Sequence, residues 1–318
     1  MKISLITPAK KRSKNGNRTT ALRWARILRD LGHRVEIAVE YEGQNADLMI
    51  ALHAWRSASP IKLFRDIYPN HPLVLALTGT DINEFIRTDP EPTLAAMETA
   101  DALVCLHDLT IDVTPKKFHQ KLHVIYQSAP PLPKKRRPAK MHFDICLIGH
   151  VRDVKDPLRG ALALRDVSES SKLRLIHMGK AHNNAWEKRG LAEMKRNPRY
   201  LWQGEKAGWQ VRRELGKTNL MIITSLSEGG ANVVSEALVA GVPVIASKIN
   251  GNVGMLGKDY SGYYPVGNEK ALQKLLLKCE NDKMFLADLT KRCKARAKLF
   301  KPAEEKRRWK KLLAELKT

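Results

Sequence analysis

The sequence predicts an α/β fold made of two doubly wound parallel sheets. Short apolar runs alternate along the chain with stretches of helical periodicity, which is the pattern of β-strands joined by crossover helices. At 318 residues the chain is long enough for two domains of ordinary size, each with its own core. A proline-rich, basic segment at residues 128–141 indicates an extended linker between them.

The first predicted domain covers residues 1–127. It begins with a strand at Ile3–Ile6, followed by a loop and then a helix from Thr19 to Leu31 whose apolar stripe ends at Gly32. Further apolar runs predict strands at residues 34–39, 48–52, 73–77, 102–106 and 122–126. Ligands of such sheets bind beyond the carboxyl ends of the strands, so we expect the loops that follow the strands to form a binding rim.

The second predicted domain covers residues 142–300. The sequence predicts a helix from about Trp209 to Leu215 and another that starts near Val233 and stops at Gly241. From Leu272 onward the tail has the pattern of successive amphipathic helices, broken near Pro302. Apolar runs predict strands at residues 143–148, 173–177 and 219–224.

Composition limits the class and location of the protein. The apolar run at the N-terminus is too short for a signal peptide, and no apolar stretch approaches the roughly 20 residues that span a bilayer. We therefore expect a cytoplasmic protein without a membrane span. The four cysteines have neither the spacing of a zinc site nor that of a disulfide framework, so we expect them to be reduced and structural.

The formal net charge is +23, which would suit a protein that binds nucleic acid or another anionic surface. The basic residues are dispersed, however, and the few aromatic residues do not interleave with them as a base-stacking platform requires. We therefore favour a basic solvated surface, with no nucleic-acid partner. Steering of small anionic substrates by the summed charge is a second interpretation. Binding to nucleic acid or to an anionic surface remains an alternative.

A glycine-rich turn stands between a predicted strand and a predicted helix of the second domain. It reads Glu228-Gly229-Gly230-Ala231-Asn232. Such a turn presents unpaired backbone N–H groups at the positive end of a helix dipole, where phosphate binds well. Because glycine has no Cβ, Gly229 and Gly230 leave room for a close approach to the backbone. We expect a phosphate-binding site at this turn.

Two carboxylates flank the turn. Glu228 and Glu236 are eight positions apart, which is roughly 12 Å along a helix. A carboxylate does not bind phosphate, but it accepts hydrogen bonds from hydroxyl groups on either side of a diphosphate, as in a nucleotide-sugar. The alternative is that Glu228 caps the helix and Glu236 is a solvated helix residue.

These residues resemble a known family. The segment Glu228–Glu236, together with the strand before it and with Gly241–Ser247, resembles the donor-site signature of the group 1 retaining GT-B glycosyltransferases. More narrowly, the turn with Gly251–Gly257 and Tyr260–Gly267 resembles the SenB-type selenosugar synthases of selenoneine biosynthesis. The resemblance implies two Rossmann-like domains that face each other across a cleft. It also implies a last helix, about residues 301–318, that crosses back to the first domain.

The resemblance assigns roles on the donor side. In the family a loop with glycine, arginine and lysine binds the donor diphosphate, and Lys155 stands six residues after Gly149 as that motif expects. His150 occupies the usual arginine position, and Arg152 is the arginine that can replace it. Glu236 is then expected to bind the ribose hydroxyls and Glu228 those of the hexose.

Polar loops on the rim of the first domain are candidates for the acceptor side. Each has an ordinary alternative, as a turn, a buried strand-end histidine or a helix N-cap. Arg18, Arg56 and Thr80 are expected to bind phosphoryl oxygens, whereas His53 or Asp81 would serve as a base for a hydroxyl acceptor. The remaining candidates are the loop residues Gly16, Asn17, Thr78 and Gly79.

The narrow resemblance implies transfer of a sugar from UDP-N-acetylglucosamine to selenophosphate, which gives a 1-selenosugar, UDP and phosphate. No Asp-x-Asp cluster follows a predicted strand, so we expect no metal, and the UDP-sugar is a substrate rather than a cofactor. A GT-B enzyme that acts on a hydroxyl acceptor is the first alternative. The sequence leaves the hexose, the anomeric outcome and the oligomeric state open.

Overall fold

The computed structural model describes residues 1–13 and 15–316, which divide into two compact units. The first unit contains the chain up to Ser128, the segment Gly229–Ala231 and the chain from Pro302 onward. The second contains Ala129–Glu228 and Asn232–Lys301. Residue 14 of the predicted loop and residues 317 and 318 of the predicted last helix lie outside the described part.

The first unit is built on a six-stranded sheet in which all neighbouring strands are parallel. Its strands are β1 (Lys2–Ile6), β2 (Arg34–Ala38), β3 (Leu48–Leu52), β4 (Leu73–Leu77), β5 (Ala102–Cys105) and β6 (Leu122–Val124). Its first helices are α1 (Gly16–Arg29), α2 (Ala58–Ile67), α3 (Ile86–Thr88) and α4 (Pro90–Thr99). The strand order is β2-β1-β3-β4-β5-β6. A π-helical turn spans Asp81–Phe85, and 3₁₀ turns span Asp108–Val113 and Lys116–Lys121.

Both faces of this sheet are buried, which explains why its strands read as continuous apolar runs. In β3, Leu48, Ile50 and Leu52 pack in the core with α1, whereas Met49 and Ala51 pack on the opposite face. The sheet is therefore covered on both sides, as the doubly wound class requires.

Helix α1 begins three residues earlier than the apolar periodicity predicts. Asn15 is its N-cap, and the Asn15 side chain accepts a hydrogen bond from the backbone N–H of Arg18 at 3.0 Å. Gly16 and Asn17 consequently belong to the first helical turn rather than to a loop.

The second unit is built on another six-stranded parallel sheet. Its strands are β7 (Phe143–Ile148), β8 (Leu173–Met178), β9 (Tyr200–Trp202), β10 (Leu220–Ile223), β11 (Val244–Ser247) and β12 (Tyr263–Tyr264). Its helices are α5 (Arg159–Leu162), α6 (Asn184–Arg196), α7 (Gly208–Leu215), α8 (Asn232–Ala240), α9 (Asn250–Leu256), α10 (Glu269–Asn281) and α11 (Lys283–Arg296). The strand order is β12-β11-β10-β7-β8-β9. Short 3₁₀ turns span Asp153–Lys155 and Ala297–Phe300.

The segment 129–141 contains no helix or strand, yet hydrogen bonds attach it to the second unit. The Arg136 guanidinium donates to the carbonyl oxygens of Thr218 and Gly241, both at 2.5 Å. The backbone N–H of Arg137 donates to the carbonyl oxygen of Gly216 at 2.9 Å. Much of this basic, proline-rich segment is therefore fixed to the unit that follows it.

The last helix, α12 (Pro302–Glu315), packs on the first unit. The ring of Trp309 meets that of Trp24 edge-on, with centroids 4.8 Å apart. Leu312 and Leu313 join the same core cluster as Trp24. The predicted return of the last helix to the first unit is confirmed.

The carboxylate of Glu305 fixes α12 in place and is fully buried. It accepts hydrogen bonds from the Trp24 indole N–H at 2.7 Å, from the backbone N–H of Ser128 at 2.9 Å and from the Ser128 hydroxyl. The Arg23 guanidinium lies 3.2 Å away and supplies the counter-charge. One side chain thus joins α12, α1 and the chain that follows β6.

Among residues 1–13 and 15–316, no helix is both long and apolar enough to cross a membrane.

We predict that Glu305→Ala lowers the free energy of unfolding of the first unit by about 3–5 kcal/mol, because it leaves buried donors and an arginine without their acceptor. Chemical denaturation followed by tryptophan fluorescence measures this loss. Glu304→Ala is the matched control, since Glu304 is partly exposed and pairs with Arg307 and Arg308 on the surface. That control is expected to cost less than about 1 kcal/mol, and equal losses for both variants would contradict the prediction.

Candidate active site

The strand orders identify where each sheet opens to a ligand. In the first sheet the order reverses between β1 and β3, and in the second it reverses between β7 and β10. Connections leave to opposite faces at such a switch point, so a crevice forms beyond the carboxyl ends of the two strands. The loops that follow these four strands, together with the first two turns of α1 and α8, carry most of the residues predicted from sequence.

In the second unit, the loops after β7 and β10 meet in an ion pair. The Lys155 ammonium donates a hydrogen bond to Oε1 of Glu228. The lysine side chain is 24% exposed and the glutamate side chain 10%, so the pair is largely shielded from water. The structure therefore brings together the lysine that is predicted to bind the diphosphate and the glutamate that is predicted to bind the hexose.

The loop after β7 carries its charge on Arg152 and Lys155. Arg152 is exposed at the start of the 3₁₀ turn Asp153–Lys155. His150 is not a third cation, because burial, together with the two neighbouring cations, lowers its pKa below the usual histidine value. Its Nδ1 accepts a hydrogen bond from the backbone N–H of Lys180 at 3.3 Å. Because His150 is neutral, the positive charge at the usual arginine position of the motif must come from Arg152.

The glycines of the turn satisfy a packing constraint within the first unit. A Cβ on Gly229 would lie 2.3 Å from the carbonyl oxygen of Thr78. A Cβ on Gly230, whose φ is +156°, would lie 2.5 Å from Cβ of Leu106. Glycine is therefore required at both positions by close contact with protein atoms, whatever ligand binds there.

Helix α8 begins directly after this turn. Its first turn contains no acidic residue, so the positive end of its dipole is not compensated from within the helix. Ala231 is buried before the helix, Asn232 is half-buried at its start, and Glu236 is half-buried in its second turn. The phosphate role of the turn and the ribose role of Glu236 remain predictions.

In the first unit, Arg18 stands out because its cation has no counter-charge. The residue is 9% exposed, and its Nε is buried without a hydrogen-bond partner. Within the described part of the chain, no carboxylate pairs with its guanidinium. It lies in the first turn of α1, which contains no acidic residue. A shielded guanidinium beside a helix N-terminus favours an anion.

His53 follows β3 and is held in an unusual conformation. Its φ of 77° lies in the left-handed region, which costs a non-glycine residue about 1–3 kcal/mol and is typical of functional sites. Its Nδ1 accepts from the backbone N–H of Arg56 at 3.3 Å, and its Nε2 lies 3.0 Å from Oγ1 of Thr80. Burial lowers the pKa of His53, so we assign the neutral tautomer with the proton on Nε2, donated to Thr80.

Asp81 acts as a backbone anchor in this structure. Its carboxylate is fully buried and accepts the backbone N–H groups of Ala54 at 3.1 Å, Gly79 at 2.7 Å, Ile82 at 3.2 Å and Thr78 at 2.9–3.0 Å. These bonds join the loops after β3 and β4. The carboxylate oxygens are thus occupied by backbone donors, and a catalytic role for Asp81 remains a prediction.

An aromatic stack on the rim was not anticipated from the sequence, although the loop that contains Trp55 was predicted to lie there. The rings of Trp55 and Phe85 stack with centroids 4.2 Å apart and an angle of 3° between their planes. The exposed guanidinium of Arg56 lies over both, 5.6 Å from one centroid and 5.9 Å from the other. The position of Trp55, just beyond a predicted strand, was the available signal. The stack holds Arg56 near the end of β3.

The described residues contain no group of three or more histidine, cysteine, aspartate or glutamate side chains that could hold a metal ion. All four cysteines are buried as free thiols. Metal independence remains a prediction.

A family model now decides the class. The model described as glycosyl transferases group 1 matches residues 129–300, more than half of the chain. The chain belongs to the group 1 glycosyltransferases. It is therefore a glycosyl-transfer enzyme. The comparison with curated proteins gave no match.

Solved structures show the fold of this group 1 glycosyltransferase. HepE of Anabaena, in complex with UDP and glucose, superposes with a TM-score of 0.80 at 15% identity, over 99% of this chain and 100% of that chain. Sucrose-phosphate synthase from Thermosynechococcus elongatus gives a TM-score of 0.80 at 14% identity, over 99% and 98%. A glycosyltransferase from Rickettsia africae gives 0.77 at 14% identity, over the same shares. The predicted GT-B fold class is confirmed.

We predict that Glu236→Ala lowers turnover with a UDP-sugar by about two orders of magnitude. A hydrogen bond to a carboxylate contributes on the order of 1.5–3 kcal/mol, and each 1.4 kcal/mol is about tenfold. Alanine favours the helix, so the fold is expected to survive. Steady-state kinetics at subsaturating donor test this, with the exposed Glu187→Ala as a control that retains activity. Full activity of Glu236→Ala would show that the donor assignment is wrong.

We also predict that activity persists in excess EDTA, because Lys155, Arg152 and the N-terminus of α8 supply the positive charge that a leaving diphosphate needs. Initial rates before and after exhaustive chelation are the measurement. Loss of activity that magnesium or manganese restores would count against this model of the site.

Proposed function

We propose that this glycosyltransferase is a selenosugar synthase. It transfers a sugar from a UDP-sugar, with UDP-N-acetylglucosamine as the expected donor, to selenophosphate. Selenium attacks C1 of the sugar while the bond from C1 to the diphosphate oxygen breaks, so that UDP leaves. Hydrolysis of the Se–P bond by water then releases phosphate and the 1-selenosugar. UDP in the HepE complex, a protein of the same fold, supports the choice of nucleotide.

The observation that carries the acceptor half of this proposal is the uncompensated guanidinium of Arg18. A neutral sugar in this position would shield the cation further from water without supplying a counter-charge, which is costly. A small phosphoryl anion supplies that charge and accepts bidentate hydrogen bonds from a guanidinium. The charge balance of the rim therefore favours an anionic acceptor.

Thr80 complements Arg18 as a hydrogen-bond donor. Because the N–H of Arg56 occupies Nδ1 of His53, the histidine proton resides on Nε2 and is donated to the Thr80 oxygen. The Thr80 hydroxyl proton then points away from His53 and is available to a phosphoryl oxygen. Arg56, held by the aromatic stack of Trp55 and Phe85, adds a second cation on the exposed side.

The same geometry disfavours a hydroxyl acceptor. An alcohol needs a base to remove its proton as it attacks. The two candidates, His53 and Asp81, have their acceptor atoms engaged by backbone N–H groups. Selenophosphate is an anionic, soft nucleophile and attacks without such a base.

We predict that Arg18→Ala and Arg56→Ala each raise the KM for selenophosphate about tenfold or more while changing the KM for the UDP-sugar less than twofold. Each change removes a charge-assisted contact on the acceptor side only. Steady-state kinetics with the two substrates varied independently measure this, and mass spectrometry identifies the product. Arg26→Ala is the matched control, because Arg26 is an exposed arginine of the same helix, two turns further on.

Selenophosphate is expected to be used, thiophosphate to be used less well or to compete, and simple sugar alcohols to be ignored. If both arginine variants weaken the donor alone, or if a sugar hydroxyl outcompetes selenophosphate, the acceptor half of the proposal is wrong. Membership of the glycosyltransferase family would be unaffected by either result.

A further inference from the structure

A chain of buried hydrogen bonds ends on the donor-side carboxylate of the second unit. Asn252 and Ser247 are fully buried, and Ser225 is 2% exposed. The amide nitrogen of Asn252 donates to the carbonyl oxygen of Ser247 at 2.9 Å and to its hydroxyl at 3.1 Å. The Ser247 hydroxyl donates to the carbonyl oxygen of Ser225 at 2.6 Å. The Ser225 hydroxyl donates to Oε1 of Glu228, also at 2.6 Å.

The direction of these bonds is determined by chemistry. A carbonyl oxygen only accepts, so the amide of Asn252 must present its NH₂ group to Ser247, and the Ser247 proton must point to the carbonyl of Ser225. The carboxylate of Glu228 likewise only accepts, so the Ser225 proton points to it. The Asn252 orientation leaves its Oδ1 buried without a partner, a cost that indicates a constraint on this amide.

The backbone of Glu228 is confined as well. A Cβ on Gly251, in the first turn of α9, would lie 2.3 Å from the Glu228 carbonyl oxygen and 2.9 Å from the Glu228 Cβ. Neighbouring bonds anchor the loop that carries Lys155: the Thr224 hydroxyl donates to the Lys155 carbonyl oxygen at 2.8 Å. Ser225 and Thr224 are adjacent in sequence, but the Thr224 hydroxyl bonds to the loop after β7, whereas the Ser225 hydroxyl bonds to Glu228 in the loop after β10.

Lys155 and Ser225 donate to the same oxygen of Glu228. A diphosphate bound at the loop after β7 would draw the Lys155 ammonium toward itself, because two phosphate groups carry more negative charge than one carboxylate. Ser225 has no such competing acceptor, and its hydroxyl bond to Glu228 does not depend on Lys155. The carboxylate consequently keeps the Ser225 hydroxyl as a donor when the lysine turns away.

We propose that Ser225 is a positioning residue for the sugar half of the donor. Its hydroxyl, braced by Ser247 and Asn252, holds the Glu228 carboxylate toward the hexose while Lys155 binds the diphosphate. This inference rests on the donor half of the proposed function. It assigns a role to Asn252, which the sequence motif contains but the proposed reaction does not use.

The test compares the affinities of UDP and UDP-N-acetylglucosamine for the 318-residue chain by isothermal titration calorimetry. Ser225→Ala is expected to weaken UDP-N-acetylglucosamine about tenfold and UDP less than twofold, because Glu228 faces the sugar. In a Glu228→Ala background, Ser225→Ala should add no further loss. Ser247→Ala should lower the affinity for the UDP-sugar about threefold without a matching loss for UDP. It replaces Ser225→Ala in the test if that variant does not fold.

Thr224→Val is the matched control, since it removes a buried hydroxyl next to Ser225 that acts on the Lys155 loop. It is expected to weaken UDP and the UDP-sugar in equal proportion. The inference is overturned if Ser225→Ala also weakens both ligands equally, or if its effect adds in full to that of Glu228→Ala. A wild-type chain that binds neither ligand overturns the donor half of the proposed function together with this inference. The titrations contain no acceptor. They therefore still test the role of Ser225 if the enzyme proves not to use selenophosphate.

Discussion

The packing of α12 and α1 in the first unit depends on the hydrogen bonds and ion pair of the buried Glu305 carboxylate. It lies on α12 and binds Trp24 and Arg23 of α1, and it also binds Ser128 beyond β6. Arg18 lies about a turn and a half upstream of Trp24 on α1, so the position of that guanidinium depends on how firmly α1 is held. A single buried side chain therefore links α12 to the helix that carries Arg18.

The candidate residues of each unit are grouped by one property of parallel sheets. The chain must leave the carboxyl ends of β1 and β3, and of β7 and β10, toward opposite faces, and the loops that do so meet above the sheet. The two units use this geometry differently. In the second, Lys155 and Glu228 neutralise each other. In the first, the Arg18 guanidinium has no carboxylate partner in the described part of the chain, and the Asp81 carboxylate accepts hydrogen bonds from backbone N–H groups. The first unit thus contains a guanidinium without a carboxylate partner, whereas the second contains an ion pair.

Much of the fold could be predicted from the sequence, because buried parallel strands are continuous apolar runs. The strands at residues 48–52, 73–77 and 143–148 agree with the predicted bounds to the residue. The start of α1 was misplaced because its apolar stripe begins after Asn15, whose capping role depends on a side-chain bond. The contacts of the site were harder to predict. Lys155 meets Glu228 across 73 positions, and the bonds that engage Asp81 reach across to Ala54, 27 positions away. Such contacts depend on how complete strands and helices pack against each other, which the hydrophobic pattern of a short segment does not reveal.

The way α12 completes the first core also bears on how the chain is made. The second unit, apart from the segment Gly229–Ala231, is contiguous from Ala129 to Lys301, whereas the first needs residues from both ends of the chain. During synthesis, the apolar face around Trp24 and Ile50 stays exposed until α12 has left the ribosome and can pack on it. We infer that the second unit closes before the first, and that chaperones have the opportunity to bind the uncovered face until α12 emerges. Pulse proteolysis of stalled nascent chains that end before and after α12 would reveal whether the first unit resists cleavage only in the longer ones.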